Sequence, residues 1–344
     1  MKAAVVQKVG QLVVQEVPMP ECGEYGALCE LVYGATCVGT DRHLIEGHPP
    51  FSEWVSPPFI LGHESIGRVL EVGSKVAYLS EGDLVTRVGC PAGKTIGSGW
   101  GGFAEYGVAL DWRAMEADGV EPTAWRGARV NQVVPAGTDP AGATMFITWR
   151  ETLSYLRRMG LHEGASILVL GSGANGLSFT AHATHLGAAH RVMIGSAGRE
   201  KTANRAGATA YIDYREEDVA EKALCQQPDG FDFVLDAIGK TSVANLGLSL
   251  MKPGGRIGIY GMDEAGSIHL SPDAGLGTFT VSNEGYDEAE THEEIVALAG
   301  EGKLDATIWL DQENPFALTE IVEAFQATRS REVVKALVRL KDRE

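Results

Sequence analysis

The sequence is short of thiols. Its 344 residues hold five cysteines, Cys22, Cys29, Cys37, Cys90 and Cys225, scattered and without a C-x-x-C pair. That spacing excludes a disulfide scaffold and a four-cysteine zinc module, and it suits a reducing cytoplasm. Long apolar runs are missing too; none approaches the roughly 20 residues that span a bilayer. The start, MKAAVVQKVGQLVV, is broken by Gln7, Lys8 and Gly10, and no small-residue cleavage site follows it. Positive charge is scarce. Lysine and arginine number 29 against 46 acids, a net charge of −17, which argues against nucleic acid as a partner. Internal repeats and low-complexity tracts are absent. Glycine is what the chain has in excess, with 43 residues, a density that goes with tight turns and close approaches of backbone to ligand. At 44% hydrophobic and 22% charged, the balance is globular, and the length suggests roughly two domains.

The pattern changes along the chain. Up to about residue 140 it consists of short β-type runs broken by Gly and Pro (MKAAVV, GQLVVQEV, ALCELVYGATCV, SIGRVLEV), as in a small barrel or sandwich. From about 150 to 280, apolar runs SILVLG, RVMIG, AYIDY, FDFVLDAIG, RIGIYG and TFTVSN alternate with helical segments, one of them SVANLGLSLMKPGG, closed by Pro-Gly-Gly. This alternation implies a parallel sheet flanked by helices, so the fold class is α/β. The tail carries two further helices, THEEIVALAGEGK and ALTEIVEAFQATRS, and a last strand, VVKALVRL.

The strand SILVLG runs into Gly171, Ser172, Gly173, Ala174, Asn175 and Gly176, and a helix follows. Gly171 permits the tight turn, Gly173 lets the backbone approach a pyrophosphate, and Gly176 lets the helix pack close to the strand. The helix N-terminus then faces the phosphate charge, which makes this a dinucleotide site. A carboxylate ~20 residues further on usually holds the ribose 2′-hydroxyl of NAD. Here Gly195 and Ser196 fall at that place, with Arg199 just beyond. A hydroxyl and a guanidinium suit a 2′-phosphate, so the cofactor expected is NADP(H). Ala237 and Tyr260 lie at the ends of later strands, where backbone lines the nicotinamide. Arg199 could instead simply open the next helix.

Three segments of the first part, GATCVGTDRHLIEG, FILGHESIGRVLEVG and EGDLV, together with the dinucleotide motif, resemble the medium-chain dehydrogenase/reductase superfamily, the zinc-type alcohol and polyol dehydrogenases. The resemblance covers nearly the whole chain. It implies a GroES-like β-barrel catalytic domain over 1–146, a Rossmann NADP-binding domain over 147–283, and a return of 284–344 to the catalytic domain. It also implies a homodimer or homotetramer paired through the last Rossmann strand, and it makes Tyr214 an adenine-flanking residue, although a core aromatic is the equal alternative.

The family's zinc site is incomplete here. The ligand cysteine that should directly precede G-T-D is Val38, and Cys37 lies one residue earlier, where a step along an extended segment points the side chain the other way. The second ligand, His63 in L-G-H-E, is present beside Glu64. A gapless count puts Ile147 at the third. Neither Val nor Ile binds zinc, so a metal-free site is expected. The rival is a site rebuilt from Cys37, His63 and Glu64 with Glu151 swinging in. The structural zinc lobe is also missing.

Thr40 and His43 match the residues that relay the substrate hydroxyl proton in zinc-type members, and Asp41 reads as a structural tie for the loop. Without zinc, His63, Thr40 or Arg150 would stabilise the developing alkoxide, with a surface charge as the plain alternative for Arg150. A further likeness to the glucose dehydrogenase branch makes Glu105 and Asn283 contacts for sugar hydroxyls, alongside Glu64 and Arg150 in substrate binding. The expectation is therefore an NADP(H)-dependent oxidoreductase interconverting a secondary alcohol, on a sugar or polyol, with its carbonyl. A zinc-free enone or quinone reductase and a non-catalytic NADPH-binding protein are the alternatives.

Overall fold

The computed structural model describes residues 1–341 in two compact units. The first comprises Met1–Thr148, Glu288–Gly300 and the chain from Asp305 onward. It is built on the strand Gly26–Ala35, whose residues alternate in burial along much of its length, as a sheet covered on one face requires. Ser65–Val72 and Leu337–Arg339 pair with it antiparallel, and Tyr106–Leu110 pairs with its first half. A four-stranded sheet joins Gln11–Glu16, Lys2–Lys8, Phe59–Ile60 and Gly97–Ser98. A hydrophobic core in this unit joins Val5, Leu31, Phe59 and Phe103 from the first part with Leu318, Ile321 and Val338 from the tail. Burying each large apolar side chain contributes roughly 1.5–3 kcal/mol, which is why the tail returns to this barrel.

The second unit, Trp149–Asp287 with Glu301–Leu304, carries a six-stranded parallel sheet. Its spatial order is Ala210–Asp213, His190–Gly195, Ser166–Leu170, Phe231–Asp236, Met251–Ile259 and Thr280–Ser282. In chain order within the unit that is 3-2-1-4-5-6, the doubly wound dinucleotide-binding arrangement. Ser166–Leu170 is buried at every residue, as a strand covered on both faces must be.

Pro253-Gly254-Gly255 does not close the preceding helix. That helix is Thr241–Ser249, and the three residues lie inside the strand Met251–Ile259. There the register against Phe231–Asp236 shifts and Gly254 takes φ +82°, so the signal marks a bulge. No helix among the described residues is long and apolar enough to cross a membrane.

Candidate active site

In the first unit the strand Gly26–Ala35 turns into the helix Val38–Glu46, and Cys37 is the residue at the corner, with φ −116° and ψ 95°. Asp41 ties this corner. Its Oδ2 accepts from the Cys37 backbone N–H at 2.8 Å, as the structural role expected of it requires. Its Oδ1 stands 3.4 Å from Nδ1 of His63, long for a hydrogen bond and close for a charge contact. His63 is held by the turn before it: Gly62 has φ +103°, and a Cβ there would meet Phe103 at 2.6 Å. Burial works against a charged His63, but Asp41 and Cys37 outweigh it and raise its pKa well above the ordinary histidine range.

Thr40 and His43 follow on the same helix. Thr40 is half-buried, and its Oγ1 lies 3.8 Å from the Cys37 sulfur. His43 is buried, with Nδ1 2.7 Å from the Gly39 carbonyl. A carbonyl only accepts, so Nδ1 carries the proton and Nε2 is left to take one. The His43 ring lies 5.7 Å from that of the exposed His48.

Cys37, His63 and Glu64 converge, contrary to the alternation expected of Cys37. Their ligand atoms lie within 4.8 Å of one another, the one such group found among the described residues. Alternation fails because Cys37 sits where strand becomes helix. Glu64, however, is already engaged. Its Oε1 accepts from Thr148 Oγ1 at 2.7 Å and its Oε2 from Lys335 Nζ, which also donates to Thr148 Oγ1 at 2.9 Å. Glu64 and Lys335 are 2% and 1% exposed. Burial opposes the Lys335 charge, but the neighbouring Glu64 carboxylate more than offsets this and raises its pKa. Catalytic zinc takes three protein ligands. Cys37 and His63 offer two, Glu64 is neutralised by an ammonium that would repel a cation, and Val38 and Ile147 carry no donor. The set does not fit the metal. Lys335 was invisible to sequence reasoning, its one signal being a charge between the apolar residues Val334 and Ala336 in VVKALVRL.

Three aromatic side chains stand beside this cluster. The Trp100 ring is 5.2 Å from that of His63, 5.0 Å from Trp54 and 5.9 Å from Phe51, and Phe51 lies 6.4 Å from His43. Glu105 is not in this group; its carboxylate accepts the Lys2 backbone N–H at 2.6 Å.

In the second unit Gly171 has φ +111°, and a Cβ on Gly176 would lie 1.9 Å from the Gly171 carbonyl oxygen, so helix and strand meet backbone to backbone. Gly173 caps the helix Ala174–His185, and Ala174 and Asn175 open it. The end of the next strand is fastened to this turn. Ser196 donates its N–H to Ser172 Oγ at 3.1 Å, and its carbonyl accepts from Tyr211 Oη at 2.6 Å. A Cβ on Gly195 would run into both Ser172 and Tyr211. Ser196 caps the short turn Ala197–Arg199, and Arg199 is half-buried. Tyr214 is 52% exposed, which removes the core alternative for it. Ala237 follows Asp236, whose Oδ1 accepts from Ile238 and Gly239 N–H at 2.8 and 2.9 Å. Tyr260 Oη donates to Glu151 at 2.9 Å, so Glu151 already has a partner in its own unit. Arg150 is fully buried rather than a surface charge, and Asn283 is exposed just past the edge strand Thr280–Ser282.

The sequence signature of the Alcohol dehydrogenase GroES-like domain matches residues 23–118, and that of the Zinc-binding dehydrogenase matches 174–306. An L-threonine 3-dehydrogenase of Anaeromyxobacter dehalogenans is 30% identical over 288 residues, covering 76% of this chain and 77% of that protein. The chain belongs to the zinc-binding, medium-chain alcohol dehydrogenase family. Within it, a sorbitol dehydrogenase of Halalkalibacterium halodurans is 26% identical to this member over 96% of both chains. A zinc-binding dehydrogenase structure from Sinorhizobium meliloti, bound to NADP, shares the fold with a TM-score of 0.80 at 24% identity over 98% of both chains. In this family member the residues that converge at the corner are Cys37, His63 and Glu64.

Proposed function

We propose that this family member is an NADP(H)-dependent oxidoreductase that interconverts a secondary alcohol and its carbonyl without catalytic zinc. The observation that carries the reading is the assembly of Thr40, His43 and His63 around one corner of the first unit, tied by Asp41. Bound NADP(H) supplies or accepts the hydride. Gly171, Gly173 and Gly176 give the pyrophosphate a close backbone approach at a helix N-terminus. Ser196 and Arg199, with no carboxylate between them, favour a 2′-phosphate over a free 2′-hydroxyl. His63, favoured as imidazolium by Asp41, stabilises charge on the substrate oxygen. Thr40 hands the proton on, and Nε2 of His43 takes it toward solvent. The chain is further read as pairing along Thr280–Ser282, where Val281 and the nearby Leu276 are exposed.

The test is a steady-state assay of purified protein with aldehydes, ketones and enones, using NADPH and NADH in parallel. Carbonyl reduction favouring NADPH, and lowered at least about a hundredfold by Thr40→Val, is the expected result. Turnover of enones alone would replace this reading with C=C reduction.

A further inference from the structure

We propose that the substrate carries a planar, apolar ring next to its reacting carbon, held on an aromatic shelf made by Phe51, Trp54 and Trp100. This rests on the alcohol–carbonyl reading for the place of the reacting carbon, beside Thr40 and His63. The three rings meet edge to face, at interplanar angles of 72° to 78° and centroid distances of 5.0 to 6.0 Å. Such contacts favour the stack, yet they leave the Trp54 indole 52% exposed, a large apolar surface beside a buried polar cluster. The position of Trp100 is also maintained against a cost. Its φ is +64°, which is left-handed backbone that a bulky residue avoids. The glycines around it hold the strand there. Gly99 and Gly102 donate to the carbonyls of Ile60 and Gly62, and the Gly101 carbonyl accepts from Cys90. Arg87, ion-paired with Glu288, stands 5.7 Å over the Trp100 ring. Strain that is fixed so thoroughly and sets an indole against the candidate catalytic imidazole points to a ligand contact.

The polar groups point the same way. A polyhydroxy substrate needs acceptors for each hydroxyl that leaves water. The buried carboxylates beside His63 are engaged: Asp41 with the Cys37 N–H, and Glu64 with Thr148 and Lys335. A ring stacked on indole needs no such partners.

The experiment compares three ketones, acetophenone, 2-butanone and dihydroxyacetone, as substrates with NADPH, in wild type, Trp54→Ala, Trp54→Phe and Tyr78→Ala. Acetophenone is expected to exceed both others at least about tenfold in kcat/KM. Trp54→Ala should raise its KM and erase most of that ratio, and Trp54→Phe should restore it. Tyr78→Ala, equally exposed on another segment, should leave it alone. Butanone or dihydroxyacetone turned over as well as acetophenone, or a ratio indifferent to Trp54→Ala, overturns the proposal. Failure to reduce any of the three would sink the alcohol–carbonyl reading instead. The shelf would then stand or fall on tryptophan fluorescence: saturable quenching by 1-phenylethanol, lost in Trp54→Ala, keeps it, and no quenching removes it.

Discussion

Lys335 and Glu64, 271 residues apart in sequence, form a buried ion pair whose second member is next to His63. Thr148 closes the triangle by donating to Glu64 and accepting from Lys335. Breaking such a pair strands one buried charge, at a cost of about 3–5 kcal/mol, whereas removing both charges is often nearly neutral. Lys335→Met is therefore expected to lower the urea midpoint severely, and Lys335→Met with Glu64→Gln to regain most of the loss. Equal destabilisation by the single and double variants would show that stranding a buried charge is not the source of the loss.

The cofactor reading turns on the few side chains at the end of His190–Gly195. Arg199→Ala removes a guanidinium that would meet the 2′-phosphate, and Ser196→Asp puts a carboxylate where a phosphate would be repelled. The ratio of kcat/KM for NADPH over NADH should fall about tenfold or more in the first, and invert in the second. Each tenfold step corresponds to ~1.4 kcal/mol of differential binding. An unchanged ratio in both variants would mean that Arg199 serves only its own helix.

His182 gives the fold a pH dependence of its own. It is wholly buried in the helix Ala174–His185, and neither ring nitrogen makes a well-formed hydrogen bond. Burial, helped by the neighbouring His185, pushes its pKa down to about 3. The folded chain thus keeps the ring neutral, while the unfolded chain protonates it near pH 6.5. Its contribution is complete above that pH and is lost as pH falls toward 3, at about 1.4 kcal/mol per unit. Between pH 6.5 and 5 the wild type should lose roughly 2 kcal/mol more than His182→Leu, read from urea midpoints at each pH. Parallel curves for the two proteins would show that the ring finds a partner that stabilises its charge.

The parts most legible in the sequence were those where backbone geometry dictates residue type. Gly171 and Gly176 could be read as a strand-to-helix contact because no Cβ fits between them, and the structure leaves 1.9 Å there. The apolar runs at the centre of the sheet, Ser166–Leu170 and Phe231–Asp236, were legible as parallel strands because burial on both faces leaves little room for alternation. Cys37 was misjudged because alternation applies within a strand, and this residue lies past the end of one and caps the next helix. Pro253-Gly254-Gly255 was misjudged because a bulge and a helix stop use the same residues. Lys335 and Trp100 were beyond reach for another reason. Their partners Glu64 and His63 lie far off in sequence, and only the folded barrel shows that a lysine is buried or an indole strained.

The metal question has a direct measurement. Cys37 and His63 together offer a thiol and an imidazole, and the next candidate donor, Glu64, is bound to an ammonium. Tight zinc sites need a fuller set of ligands, so dialysed protein is expected to hold well under about one zinc per chain. Carbonyl reduction should then survive a chelator. Ile147→Glu supplies a carboxylate where the family resemblance would put the third ligand, and should raise zinc uptake if Cys37 and His63 are correctly aimed. One zinc per wild-type chain, lost in step with activity, would show that Lys335 yields Glu64 to the metal, and hydroxyl activation would pass from His63 to a Lewis acid.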